Sequence, residues 1–227
     1  MEEFYIDVLQ SESVDGIILP PIHERDPVVT KLIDGGLPVV TVDRSLIGRA
    51  TDRVEIDNRR GAFEAVEYLI KLGHRRIGLI EGPANVSTSR ERRLGYEDAM
   101  AAHKLPIQSE YIRGGDYKQA SGRAMAEELL GLKKPPTALF VLNNLMTVGA
   151  LEAIHQRRLT IPNDIAIIGF DDLPWAEALN PPLTVVRQPA YEVGQAAAEL
   201  LFKRLESKKR SETHLKLFPK LVVRKSC

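Results

Sequence analysis

The chain has 227 residues with thirty-one basic and thirty-one acidic side chains, so its formal charge is zero and nothing global draws it to nucleic acid or to an anionic membrane. The single cysteine, Cys227, excludes an internal disulfide framework and fits a reducing cytosol. No apolar run reaches the roughly 18 residues of a membrane span, and MEEFYIDVLQ is acidic where a secretory signal is basic and then apolar. The expectation is a soluble intracellular protein, long enough for one large or two modest domains.

Glu2 to Gln10 reads as the end of a helix, with Phe4, Val8 and Leu9 on one side and a turn at Ser11 to Ser13. Val14 to Leu19 is a short apolar run that ends in Pro20-Pro21. Asp26 to Ile33 predicts a helix stopped at Gly35-Gly36. Val39 to Val42 is the next apolar run, with Asp43-Arg44 at its carboxyl end, and a short strand follows around Val54 to Ile56. Then comes the most informative stretch, DNRRGAFEAVEYLIKLGHRRIGLIEGP from Asp57 to Pro83. Asn58 is placed as the helix N-cap. Ala62, Ala65, Val66, Leu69 and Ile70 form one apolar stripe, Gly73 stops the helix, and Ile77 to Ile80 is a strand apolar on both faces.

Thr88 and Glu91 have the spacing of a capping box, which starts a helix carrying Arg92, Gly95 and Tyr96 at Thr88. A weak strand at Tyr111 to Arg113 leads to a helix over Ser121 to Leu130 and a buried strand over Thr137 to Leu142. Asn143 then caps a helix over Leu145 to Gln156, and Ile165 to Gly169 is another buried strand, ending in Phe170-Asp171-Asp172. Leu173 to Pro189, punctuated by Pro181-Pro182 and Pro189, reads as an extended connection with no regular element. A helix over Tyr191 to Leu205 follows. The run Lys208-Lys209-Arg210 reads as a solvated loop, and Leu215 to Phe218 and Leu221 to Val223 as two short strands. Strands separated by helices predict an α/β fold of parallel sheets with right-handed crossovers.

In open parallel sheets, ligands bind beyond the carboxyl ends of the strands, where helix N-termini also point. That rule collects Asp43, Asp57, Thr88, Asn143 and Asp171, and adds Arg92 one turn inside the helix that Thr88 opens. Carboxylates, a guanidinium fork and an amide can bracket a neutral ligand rich in hydroxyls, so the chemistry points to a sugar. Each residue also has a plainer role. Asn143 can be a helix cap, Asp57 a turn residue, Arg92 part of a solvated helix face, and Trp175 either a core anchor or an aromatic platform for a sugar ring. Asp171 has no local capping duty. The five histidines are scattered singly without metal-ligand spacing, and the phosphate-loop, nucleophile-elbow and dinucleotide motifs are missing, which leaves a binding domain ahead of an enzyme and calls for no cofactor.

The segments VDGIIL, PVVTVDR, DNRRGA with KLGHRRIGLIEGP, RRLGY, PTALFVLNNLMTVGAL, IPNDIAIIGFDD and PPLTVVRQP, in this order over nearly the whole chain, resemble the effector-binding domain of the lactose-repressor/galactose-repressor family of bacterial transcription regulators. The resemblance implies a periplasmic-binding-protein-like fold, type I, of two subdomains with doubly wound parallel sheets. These are residues 1–57 plus 190–218 and residues 58–189 plus 219–227, joined by three crossings near Asp57 to Arg60, Gln188 to Ala190 and Phe218 to Lys220. It implies that Asp43, Thr88, Arg92, Asn143 and Asp171 contact a ligand between the subdomains. Val86 stands where purine-binding relatives carry an arginine, which favours a carbohydrate effector.

The family begins with a helix-turn-helix head and a first β-α-β unit that this sequence does not show. The expectation is therefore an incomplete N-terminal sheet with an unpaired strand edge, and a pocket lacking part of its wall. The function implied is the ligand-sensing domain of a repressor that works as a homodimer, contacts operator DNA only through the head, and touches no membrane. A transport-associated sugar-binding protein is the alternative, since it shares the fold.

Overall fold

The structure is a computed structural model that describes residues 14–44, 46–207 and 210–227. The helix expected over Glu2 to Gln10, the turn at Ser11 to Ser13, and Lys208 and Lys209 of the basic run lie outside these residues. Ten strands are present among them: β1 Ile17–Leu19, β2 Val39–Val42, β3 Asp52–Ile56, β4 Ile77–Glu81, β5 Ile112–Gly114, β6 Ala138–Val141, β7 Ala166–Phe170, β8 Thr184–Arg187, β9 His214–Leu217 and β10 Lys220–Val222. The α-helices are α1 Pro27–Asp34, α2 Asn58–Lys71, α3 Ser87–Ala102, α4 Gln119–Leu130, α5 Asn144–Gln156, α6 Pro174–Ala178 and α7 Ala190–Glu206. The chain divides into two compact units, the first of Met1–Ile56 and Pro189–Leu217 and the second of Asp57–Gln188 and Phe218–Cys227.

The first unit holds a four-stranded sheet in the order β1-β2-β3-β9, parallel throughout. Asp26 caps α1, its Oδ1 accepting from the amides of Val28 at 3.0 Å and Val29 at 3.1 Å, and Val29 and Leu32 carry its buried face. The carboxylate of Asp52 in β3 is fully buried and satisfied by Arg204 at 2.8 Å, Arg210 at 3.1 Å and the Thr213 amide at 2.8 Å. A buried charge needs such partners, because leaving one unmet costs several kcal/mol. These contacts tie β3 to α7 and to the segment that enters β9.

The second unit holds a six-stranded sheet in the order β10-β8-β7-β6-β4-β5, parallel except for β10 against β8. Helices α2 and α3 cover one face through a cluster that includes Val66, Leu69, Tyr96, Phe140 and Phe170. Helices α4 and α5 cover the other with Leu129, Met146, Ile154 and Ile167. Each fully buried Leu, Ile or Phe contributes about 2 to 3 kcal/mol, so two continuous apolar faces are what hold the sheet between its helices. The chain leaves β4 first to one side, to β5, and then continues on the other through β6, β7 and β8. The loops after β4 and β6 therefore lie side by side where the winding reverses.

Three local expectations need correction. Asp57, not Asn58, caps α2, its Oδ1 accepting from the Arg60 amide at 3.0 Å, while Asn58 is buried at the first helical position. Helix α3 starts at Ser87 behind Val86, which supplies no side-chain cap, and Thr88 is drawn inside the first turn and buried. Leu173 to Pro189 contains both α6 and strand β8. Its prolines flank the elements instead of interrupting them, Pro174 opening α6 and Pro182 and Pro189 standing outside Thr184–Arg187. Helix α2 ends as its sequence predicts. Gly73 has φ +99°, its amide bonds to Ile70 O and the His74 amide to Leu69 O, the paired closure that a left-handed glycine permits.

Candidate functional site

The carboxyl ends of β4, β6 and β7 in the second unit meet around Arg92. This arginine lies on α3, and α3 can approach α2 closely because Gly95 has no side chain: a Cβ there would lie 2.2 Å from Arg59 O and 2.7 Å from the Ala62 Cβ. The approach brings Arg92 Nε within 2.8 Å of Asn58 Oδ1, to which it donates. Nη1 donates to Leu142 O, the last carbonyl of the β6 run, at 2.6 Å. The guanidinium lies over the ring of Phe170 at the end of β7, Cζ 3.6 Å from the ring centroid. With 5% of its surface exposed, Arg92 is not part of a solvated helix face. Burying a guanidinium is costly unless it is hydrogen-bonded, and here two fixed acceptors and an aromatic face orient it.

Asn143 follows β6 directly. Its Oδ1 accepts from the Met146 amide at 2.8 Å, so the cap role holds, while its Nδ2 donates to Asn144 Oδ1 at 3.0 Å. Thr88 is buried one turn before Arg92, and beside it the Oγ of Ser87 is buried with no hydrogen-bond partner among the described residues. Asp171 sits at the carboxyl end of β7 with φ +78°. That left-handed conformation is uncommon for a residue with a Cβ and is best tolerated by Asn and Asp. It is held by the Asp171 amide bonding to Val186 O at 2.9 Å and by Gln188 Nε2 donating to Asp171 Oδ1.

The next residue, Asp172, anchors the turn. Its side chain is 6% exposed and accepts from Arg187 Nε at 2.8 Å and from Arg224 Nη1 and Nη2 at 3.0 and 2.9 Å. Burial pushes its pKa up, but the hydrogen bonds from Arg224 and Arg187 outweigh that and hold the carboxyl below the usual range. Trp175 stands three residues further on, half-buried against the cluster of Leu183, Val185 and Ile167. Its anchoring contact with the core is thus visible, and it is not among the groups that meet at Arg92.

Asp43 belongs to the first unit. It follows β2 directly with φ +63°, its amide donates to Val54 O at 3.0 Å, and its carboxylate stands 3.6 Å from Arg44 Nε. The turn is the one found at Asp171: a left-handed aspartate whose amide bonds to the neighbouring strand. Asp57 is committed to capping α2. The structure thus gathers Arg92, Thr88, Asn143 and Asp171 at one end of one sheet, and adds Asn58, Phe170 and Gln188, which sequence reasoning did not assign to the site. Only the position of Gln188 just past a strand could have hinted at it. The partnership of Asn58 with Arg92 has no local signal.

A family model described as a periplasmic binding protein-like domain matches residues 66–227. The chain is 32% identical to the probable HTH-type transcriptional regulator EndR of Paenibacillus polymyxa over 94% of this chain and 63% of that protein. It is also 32% identical to the HTH-type transcriptional repressor PurR of Aliivibrio fischeri (strain MJ11) over 99% of this chain and 68% of the repressor. Among solved structures, it is similar to a regulatory protein of LacI family from Chloroflexus aggregans with a TM-score of 0.89 at 41% identity, covering 99% of this chain and 80% of that one. It is similar as well to the transcriptional regulator CelR in complex with cellobiose, TM-score 0.91 and 33% identity, over 99% of this chain and 69% of CelR. The chain spans 63% of the length of EndR and 56% of that of the probable repressor ExuR of Bacillus subtilis (strain 168).

Proposed function

This chain belongs to the LacI family of bacterial transcription regulators, and from that premise we propose that it is the ligand-sensing part of a repressor whose effector is a sugar or a related hydroxyl-rich metabolite. The observation that carries the reading is the buried Arg92, fixed by Asn58, Leu142 O and Phe170 at the strand ends of the second unit, with Asp171 held in a left-handed turn on the neighbouring strand. A guanidinium and a carboxylate oriented in this way offer donors to one ring hydroxyl and acceptors to the next. Val86, just ahead of α3, stands where the resemblance gives purine-binding relatives an arginine, and its apolar side chain offers no donors to a purine carbonyl, which favours a sugar. CelR, similar over nearly the whole of this chain, carries cellobiose.

Asn143 and Thr88 are further contacts of the same ligand, and Trp175, in the segment just past Asp171, is a platform at its edge. The full-length regulator acts as a homodimer on operator DNA through a helix-turn-helix head, the segment to which the name of its HTH-type relatives refers. The effector alters operator affinity only by the difference in its own affinity for two states of the protein, so binding and repression are coupled free energies. Among the described residues no helix is long and apolar enough to cross a membrane.

Calorimetric titration with monosaccharides, with disaccharides including cellobiose, and with hypoxanthine and guanine tests the ligand class. Saturable heat from a sugar, lost in Asp171→Ala, is expected. Heat from a purine base with none from any sugar contradicts the reading.

A further inference from the structure

We propose that the amino end of the second unit's sheet, the end opposite Arg92, is a docking surface for an acidic segment of another protein that also carries apolar side chains. Strands β4, β6 and β7 start there and helices α2, α3, α4 and α5 all end there, because each helix runs back against the strands it connects. The loops at this end are tied into one surface. Arg76 Nε donates to Pro135 O at 3.0 Å, Tyr111 Oη to Lys134 O at 2.9 Å, and Arg157 Nη2 to Glu127 O at 2.9 Å. His74 Nδ1 lies 2.9 Å from Thr137 Oγ1. Arg75, Arg76, Lys104, Lys133, Lys134, Arg157 and Arg158 are exposed on it, and the exposed carboxylates among them are Glu110 and Asp164. Lys71 is paired with Glu67 at 2.7 Å and adds no net charge.

Compensation of helix dipoles is the simplest account of basic residues at helix ends, and it covers part of this charge. Each helix carboxyl terminus presents about −0.5 of a charge, so four present about −2. Seven cations less two carboxylates leave five, and about three remain after the dipoles are met, on a chain whose formal charge is zero. A surplus of that size, confined to one end of one unit, attracts a polyanion.

The apolar groups beside it decide which one. Leu72 and Ile107, 47% and 43% exposed, flank the basic loops at the ends of α2 and α3. A phosphate backbone offers nothing to cover them, whereas an acidic peptide with leucine-like side chains matches both the fork geometry of the arginines and these two anchors. Tyr111, the aromatic residue of this face, is buried, so no ring is presented for bases to stack on. The surface lies one strand length, about 15 Å, from the Arg92 end, so a partner here leaves the effector site open.

Fluorescence anisotropy on the full chain tests the proposal with three probes: a peptide of four Glu-Glu-Leu repeats, a peptide of four Glu-Glu-Ser repeats, and duplex DNA of matched charge. The Glu-Glu-Leu peptide is expected to bind about tenfold more tightly than either of the others, with affinity falling as salt rises. Lys133→Glu with Lys134→Glu, exposed loop changes that leave the packing intact, should weaken it about tenfold, and Leu72→Ser should erase the preference over the serine peptide. The proposal is overturned if DNA binds as tightly as the leucine peptide, if leucine gives no advantage over serine, or if the double charge reversal leaves affinity unchanged.

Discussion

Gly95→Ala probes how packing between two helices sets the site. The added Cβ would sit 2.2 Å from Arg59 O, 2.7 Å from the Ala62 Cβ and 2.9 Å from the Phe63 amide nitrogen. None of these atoms can swing away, because all belong to the backbone or the first side-chain carbon of α2. Ordinary contact requires the helices to separate by about 1 Å, and overpacking against a rigid neighbour costs typically 1 to 3 kcal/mol, here near the upper end. For a chain of this size that lowers Tm by about 6 to 12 °C. The same displacement stretches the 2.8 Å bond from Arg92 to Asn58 to about 4 Å, outside hydrogen-bonding range. Gly149→Ala is the control: its Cβ meets Gln119 O at 2.0 Å between α4 and α5, away from Arg92. Urea unfolding followed by circular dichroism and by Trp175 emission, with calorimetric titration of the effector, reads both effects. Both variants should lose stability, and only Gly95→Ala should also lose effector affinity by about tenfold or more. A Gly95→Ala protein as stable as the parent, or equal losses of affinity in the two variants, refutes the reasoning.

Arg224→Met removes one of the two cations on the buried Asp172 carboxylate and should destabilise the second unit by about 1 to 3 kcal/mol in urea, with Trp175 emission shifting because it shares that turn. The carboxyl of Asp172 is held below its ordinary pKa, so its stabilising effect is present above the unfolded value near 4 and fades as pH falls through the lower folded value. Stability measured at pH 6 and pH 3 should therefore drop less in Asp172→Asn than in the parent; an equal drop shows that Asp172 is not the group responsible. Asn143→Ala removes the cap of α5 and should cost about 1 kcal/mol in urea, while Asn143→Asp, which keeps the cap oxygen, should cost less. Gly73→Ala, at φ +99°, should cost about 1 kcal/mol from the strained turn alone, with effector binding unchanged by calorimetry.

The α/β fold was readable where one local signal sufficed. The stripe from Ala62 to Ile70, the stop at Gly73 and the apolar run at Ile77 to Ile80 each say one thing, and α2 and β4 follow them. Reading failed where two adjacent residues could play the same part. Asp57 and Asn58 are both able caps, and the choice is made by Arg92, thirty-four positions away, which takes up the Asn58 carbonyl oxygen. Thr88 and Glu91 have capping spacing, yet the first turn of α3 begins one residue earlier and buries Thr88. Strand β8 was hidden because its four residues sit in a segment of six between Pro182 and Pro189, and it becomes a strand by pairing with both β7 and β10.

The strand-end rule, applied to the sequence, placed Asn143 and Asp171 together at the carboxyl end of the second unit's sheet and Asp43 at that of the first, because parallel strands of one sheet present their carboxyl ends together. It could not reach Phe170 or Gln188, whose parts depend on which strands become neighbours. Nor could it show that Asp43 and Asp171 adopt the same left-handed turn, which is a property of backbone angles.

Hydrogen exchange of the full chain, with and without a saturating sugar selected by calorimetry, tests the central claim most directly. Protection is expected in the segments that carry the strand ends of the second unit, residues 82–92, 142–147 and 170–173. Protection confined to other segments, with these three unchanged, contradicts the placement of the ligand at Arg92 and Asp171.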